Sequence, residues 1–153
     1  FLLRDDIETI HAATDLLAEA KLSPELRNEA LYYRAKAYTK QKADKKAMED
    51  YRELAKDTRN PYGAEAKYQV AQSLYDAKEY AAAEKELLNY IEQSTPHAYW
   101  LARSFVLLSD VYHATGKDLD ARQYLLSLQQ NYQGNDDIQS MIESRLHKLK
   151  VEN

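Results

Sequence analysis

The sequence predicts an all-α fold built from antiparallel helix pairs in tandem, and three observations carry that reading. Gly and Pro occur only three times each, too few for the turns of a many-stranded sandwich or barrel. Three segments align without gaps: "YTKQKADKKAMEDY" (38–51), "LYDAKEYAAAEKEL" (74–87) and "YHATGKDLDARQYL" (112–125). Each has an Ala at its tenth place, followed by a bulky residue four places on and an apolar residue seven places on, as on one face of a helix.

Helix 5–20 follows from Ala13-Leu17-Ala20, which repeats the pattern of Ala47-Tyr51-Leu54, Ala83-Leu87-Tyr90 and Ala121-Leu125-Leu128. It has the second-helix pattern with no first helix before it, so further repeats are expected to precede Phe1. The start Phe1-Leu2-Leu3, without Met, is what a processed or excised piece would show. Helix 24–40 opens on Ser23-Pro24-Glu25, which supplies an N-cap, a proline at the first helical place and an acid in the first turn. Its partner is 44–57.

The next pairs are 63–77 with 80–94 and 97–115 with 118–131. The first helices "NEALYYRAKAY", "AEAKYQVAQSL" and "ARSFVLLSDVY" place a small residue at their eighth position, Ala35, Ala71 and Ser109. Opposite Ala47, Ala83 and Ala121, these allow close helix crossings. By composition "LYDAKEYAAAEKEL" reads as one straight helix, because it is rich in good helix formers. Its third copy has Gly116 where the others have Lys78 and Lys42. Glycine there supplies the positive φ that ends a helix, so all three copies are expected to turn at this place.

Asn60-Pro61-Tyr62-Gly63 and Ser94-Thr95-Pro96 punctuate the chain between pairs, and Gln133-Gly134-Asn135-Asp136 precedes a last helix at 136–150. That helix carries Ile138, Met141, Ile142, Leu146 and Leu149 but no small crossing residue; Ile142 or Arg145 falls there. It is expected to cap the array.

A net charge of −4 argues against a primarily nucleic-acid-binding surface. The stretch "YWLARSFVLL" is too short to span a bilayer, so no direct membrane insertion is expected of this segment. The absence of cysteine excludes disulfides, thiolate metal sites and cysteine nucleophiles. Thirteen Tyr against two Phe and one Trp place much aromatic surface at half-buried positions, where the hydroxyl finds a partner.

The marker alanines recur 34, 36 and 38 residues apart, and over residues 5 to 132 the chain resembles the tetratricopeptide repeat (TPR) family, whose period is about 34. Phe105, Leu108, Tyr112, Gly116, Ala121 and Leu125 match most closely. Departures are Arg34 at a usually apolar place, Asp44 and Asp118 where an aromatic is common, and the closing prolines displaced to Pro61 and Pro96. The resemblance implies a right-handed α-solenoid: a half-repeat at 5–20, full repeats at 24–57, 63–94 and 97–131, and a cap at 136–150. The long, Tyr- and Ala-rich repeats are similar in texture to those of bacterial cell-envelope TPR proteins of the Tol–Pal-associated and outer-membrane-assembly types. That likeness implies a periplasmic or envelope-associated location, the alternative being cytoplasmic.

The family's first helices line a concave groove, which implies non-catalytic binding of a protein or peptide segment. The implied groove places are Glu29, Tyr32, Tyr33, Lys36 and Thr39, then Glu65, Tyr68, Gln69, Gln72 and Tyr75, then Arg103, Val106, Asp110 and His113. Rigid Tyr area with adaptable amides suits peptides; the competing reading is that Tyr32 and Tyr68 are consumed by packing between repeats. The carboxylate-clamp places of chaperone-binding members hold Tyr32, Lys36, Gln69 and Asp110 here, which does not support that specificity.

Asp110 with His113, or Glu143 with His147, supplies two metal-ligand types one turn apart, but nothing marks a third; no cofactor is expected. No nucleophile–base–orienter set stands out, so no enzymatic activity is expected. Lys36, Lys40, Lys42, Lys45 and Lys46, with Arg34, form a basic cluster that reads as solvated turn punctuation or as a surface for an acidic partner or lipid headgroup. The alternative to partner binding is a structural spacer within a longer envelope protein.

Overall fold

The computed structural model describes residues 5–93 and 96–152, and among them every regular element is an α-helix. The helices are α1 Asp6–Leu17, α2 Pro24–Lys40, α3 Asp44–Leu54, α4 Pro61–Asp76, α5 Tyr80–Glu92, α6 Ala98–Ala114, α7 Asp118–Asn131 and α8 Ile138–Glu152. They fall into two compact units, Phe1–Val70 and Ala71–Asn153. In the first, α2 packs on both α1 and α3; in the second, α6 packs on α5 and α7, and α8 lies on α6 and α7.

The expected turns are present at 41–43, 77–79 and 115–117, and they share one geometry. Lys42, Lys78 and Gly116 have φ of 59°, 62° and 78°. The amides of Ala43, Glu79 and Lys117 donate to the carbonyls of Tyr38, Leu74 and Tyr112 at 2.8, 2.8 and 2.7 Å. Lys42, Lys78 and Gly116 donate to Thr39, Tyr75 and His113 at 3.0, 2.9 and 3.1 Å. These paired bonds form a Schellman motif, closed by a left-handed residue. The carbonyls of Ala43, Glu79 and Lys117 then accept from the marker amides of Ala47, Ala83 and Ala121, each at 3.0 Å. A single residue thus closes the first helix and opens the second.

The small residues expected at the crossings, Ala35, Ala47, Ala71, Ala83, Ser109 and Ala121, are all buried. Ser109 Oγ donates to the Val106 carbonyl at 2.6 Å, so its hydroxyl is satisfied within α6.

Arg34, out of place by the repeat pattern, has a matched partner. Its Nε and Nη2 donate to the two carboxylate oxygens of Asp50 at 2.8 and 2.7 Å, and its Nη1 donates to Thr14 Oγ1 at 3.1 Å. In the third copy the same two places hold Leu108 and Tyr124. A fork-shaped ion pair therefore replaces an apolar pair between the two helices.

Several boundaries differ from expectation; α8, expected at 136–150, runs from Ile138 to Glu152, and α1, α4 and α6 shift by one residue at an end, α6 at both. Helix α1 ends at Leu17 rather than 20, and α3 at Leu54 rather than 57. Helix α4 begins at Pro61, not 63, because Pro61 is its first residue rather than a separator. Asn60 caps it: its Oδ1 accepts from the Gly63 amide at 2.8 Å, and its Nδ2 donates to the Asp57 carbonyl at 2.9 Å. The chain doubles back so closely that a Cβ on Gly63 would overlap the backbone carbonyls of Asp57 and Leu54. Ser23 caps α2 as expected, accepting from Leu26 at 3.3 Å. Of the Ser94-Thr95-Pro96 punctuation, Ser94 and Thr95 lie outside the described residues, as does the expected end of helix 80–94; α5 is described to Glu92.

The last helix packs on α6 and α7 and buries Ile138, Ile142 and Leu149. Arg145 is not a substitute crossing residue. It forms a bidentate pair with Asp110 on α6, Nε to Oδ1 at 2.9 Å and Nη2 to Oδ2 at 3.1 Å.

Candidate functional site

In the first unit, the expected groove residues of α2 gather around Glu65, near the start of α4. The Glu65 side chain turns inward, leaving the residue 8% exposed, and both carboxylate oxygens are engaged. Tyr32 Oη donates to Oε1 at 2.9 Å, and Lys36 Nζ lies 3.3 Å from Oε2. The Lys36 ammonium also lies 5.1 Å from the Tyr32 ring centroid, close enough for a cation–π contact. Around it, Tyr32 meets Tyr33 edge-on at 5.3 Å and Tyr62 at 4.6 Å.

The electrostatics of this cluster favour fixed protonation states. Burial, reinforced by the Glu65 charge and opposed by Lys36, pushes the Tyr32 hydroxyl from 10.0 to about 12. Burial alone disfavours the Lys36 ammonium, but the Tyr32 hydroxyl and the Glu65 carboxylate together outweigh it and raise Lys36 above its ordinary value. Tyr32 therefore stays neutral and Lys36 charged through the physiological range. The cluster thus holds a neutral phenol and an ammonium against one buried carboxylate.

In the second unit, Tyr75, Asp110 and His113 do converge, around a small cavity of about 40 Å³ that Leu125, Arg145 and Lys148 help to line. A single water needs about 10–15 Å³ of such space, so the cavity is on the scale of a few water molecules. Both oxygens of Asp110 are taken by Arg145, whose Nη1 also donates to the Met141 carbonyl at 3.3 Å. His113 Nδ1 is 2.8 Å from Asp118 Oδ1. This bond crosses the third turn where Tyr75 and Tyr80 meet edge-on across the second, at 5.6 Å. Asp118 thus does with a hydrogen bond what an aromatic does at the equivalent place. Among the described residues, no group of three or more Asp, Glu or His side chains converges on a point that would hold a metal ion.

Equivalent places can be compared down the three copies. The place of Tyr32, Tyr68 and Val106 turns inward: Tyr32 is half-buried, Tyr68 is 5% exposed and Val106 1%. Tyr68, Val106 and the buried Glu65 therefore present almost no surface to a ligand, contrary to the groove expectation; they face the interior because the packed side of the first helix is wider than the repeat register suggests. The place of Lys36, Gln72 and Asp110 stays half-exposed throughout, as do Gln69 and Tyr33. Gln72 donates to Asp76 at 2.9 Å on its own helix. Arg103 sits apart from Asp110 and His113 in its contacts: its Nη1 donates to Tyr99 Oη at 2.9 Å, and its guanidinium lies 5.8 Å from the Tyr99 and Trp100 centroids.

A larger, open hollow of about 480 Å³ runs along α5, lined by Ala81, Glu84, Lys85, Leu88, Asn89 and Glu92. It contains none of the expected site residues. The first-helix surface, with its aromatic and amide side chains, is the better candidate despite its shallowness.

Neither the pairing of Asp50 with Arg34 nor that of Arg145 with Asp110 is expected from the repeat pattern. Asp50 is legible in retrospect: it is the only acid one turn from a marker Ala that can reach an Arg at a usually apolar place. Arg145 leaves no such signal, because its pairing depends on where α8 lands. Comparison of the chain with protein-family models, curated proteins and solved structures finds no match, so any functional reading rests on the residues and their geometry.

Proposed function

We propose that this chain is a TPR-type helical-repeat module, a right-handed solenoid that binds a protein or peptide segment along its first helices without catalysing a reaction. The observation that carries the reading is the shared turn: three helix pairs, in register by sequence, close on the same left-handed residue with the same two hydrogen bonds. Half-exposed side chains on the first helices supply contact surface in each unit, namely Tyr32, Tyr33, Lys36 and Gln69 in the first and Gln72, Tyr75 and Arg103 in the second. Aromatic and amide groups of this kind bind peptides through rigid area and adaptable hydrogen bonds.

Selection of a displayed peptide library on the full-length chain tests the proposal. Selected peptides should bind the chain and lose binding when Gln69→Arg and Gln72→Arg are introduced together, while Gln123→Arg and Gln129→Arg on the exposed side of α7 leave it intact. Peptides insensitive to the first pair would overturn the assignment of the surface.

The spacer reading also has specific support. Tyr32 and Lys36 are tied to Glu65, and Asp110 to Arg145, so several groove residues already serve the chain's own structure. Failure of the library to yield any specific binder would favour it.

A further inference from the structure

We propose that the α2–α3 turn is a docking patch for an acidic polypeptide segment, a second contact surface separate from the first-helix face. Its basis is a comparison the fold itself provides. The three turns have the same backbone, so turn geometry makes the same demands on charge at each. Residues 76–82 contain Asp76, Lys78 and Glu79, and residues 114–120 contain Lys117, Asp118 and Asp120, a net charge of −1 in both. Residues 40–46 contain Lys40, Lys42, Lys45, Lys46 and Asp44, a net charge of +3 in a chain whose total is −4.

The placement of these lysines opposes helix stability. Lys40 ends α2, where a cation suits the helix dipole, but Lys45 and Lys46 follow Asp44 in the first turn of α3, where an anion is preferred, so two cations outnumber the one acid there. Ala43 offers no side-chain cap to offset them. All four side chains are exposed, and among the described residues none of the four is ion-paired. Lys46 alone has a partial partner, the Tyr38 ring at 5.8 Å. Neighbouring acids are Asp44 at the start of α3, the exposed Glu49, Asp50, whose carboxylate Arg34 takes, and Asp6 of α1, which Gln41 reaches at 3.1 Å. Four unpaired cations within seven residues, at some cost to the helix they occupy, fit a partner that brings carboxylates. The turn has no large apolar side chain to insert among acyl chains, and stable membrane attachment generally needs a second, apolar signal. A polypeptide is therefore the better fit than a lipid surface.

The test uses the full chain with a fluorescein-labelled decaglutamate peptide followed by anisotropy. Vesicles of phosphatidylcholine with about one-third phosphatidylserine form a second arm. The peptide should bind at low salt, weaken about tenfold in the Lys42→Gln, Lys45→Gln, Lys46→Gln variant, and weaken further as salt shortens the screening length. The three Lys→Arg replacements should retain binding, and Lys78→Gln with Lys85→Gln should leave it unchanged. The Gln variant should melt no lower than the parent, because removing cations from a helix start relieves the dipole. Absence of peptide binding, equal binding by the Gln variant, or a lowered melting temperature in that variant would each overturn the proposal. So would vesicle binding at least as tight as peptide binding with the same dependence on the three lysines, which would assign the patch to lipid.

Discussion

Replacing Gly116 by Ala, and Lys78 by Gly, isolates the backbone cost of the shared turn. Gly116 has φ 78° and nothing lies within 4 Å of the Cβ it would acquire, so the change adds no steric contact. Placing a residue with a Cβ in the left-handed region costs about 1–2 kcal/mol. Stiffening the unfolded chain by removing a glycine returns about 0.5–1 kcal/mol. Gly116→Ala should therefore destabilise by about 0.5–1 kcal/mol. Lys78, at φ 62° and exposed, already bears this cost, so Lys78→Gly should stabilise by about the same amount through the same two opposing terms. In a chain of this size each change shifts the melting midpoint by about 1–4 °C, in opposite directions. Urea and thermal unfolding followed by far-UV circular dichroism measure both. A neutral Gly116→Ala, or a Lys78→Gly that lowers the midpoint, would refute the claim that the two turns share one backbone for one reason.

Four further outcomes follow from contacts described above. Asp50→Ala, which leaves the 18%-exposed Arg34 side chain without its carboxylate partner, should destabilise by about 1–3 kcal/mol, below the cost at a fully buried pair. The double change Arg34→Leu with Asp50→Tyr, copying Leu108 and Tyr124, should recover most of that loss; chemical denaturation of the three variants decides it. Gly63→Ala should cost about 3 kcal/mol or lose the fold of the first unit, because its Cβ meets backbone carbonyls rather than movable side chains; amide exchange would locate the loss, and an unperturbed midpoint would contradict the close approach. Ala83→Leu at the fully buried crossing should cost about 1–3 kcal/mol by overpacking, and unchanged thermal stability would count against the crossing register.

At alkaline pH, the fold favours the neutral Tyr32 phenol, raised from 10.0 to about 12. Its contribution is therefore intact below pH 10 and is lost as pH rises through about 12. Burial raises Tyr51, Tyr62, Tyr75 and Tyr112 in the same direction. Tyrosine absorbance should thus titrate late and together with unfolding, and Tyr32→Phe should reduce the pH dependence of stability in that window.

The turns were legible in the sequence because one copy wrote the geometry openly. Gly116 disclosed a left-handed residue that Lys42 and Lys78 conceal, and the ungapped alignment carried the information across. The small buried residues were legible for the same reason, since three copies repeat them at fixed spacing. Helix ends were less so: Pro61 looks like punctuation until Asn60 is seen capping the helix that Pro61 starts. The candidate surface was legible least. Periodicity tells which residues share a helix face, but the width of the packed side decides which of them reach solvent. Tyr32 and Tyr68 occupy equivalent places, yet Tyr32 keeps some exposure and Tyr68 almost none. The pairing of Asp110 with Arg145 depends on how a non-repeating helix docks, and no internal copy exists from which to read it.

The double duty of Ala43, Glu79 and Lys117 constrains how such a chain can change length. Each closes one helix through its amide and opens the next through its carbonyl, so one inserted residue would rotate every following side chain by about 100° about the second helix. Insertions and deletions are therefore confined to places away from the turn. The chain shows that division: all three turns span three residues, whereas the second helices have 11, 13 and 14 residues and the first helices 17, 16 and 17. Each pair thus behaves as a unit of fixed phase, and length drift accumulates only at its open end.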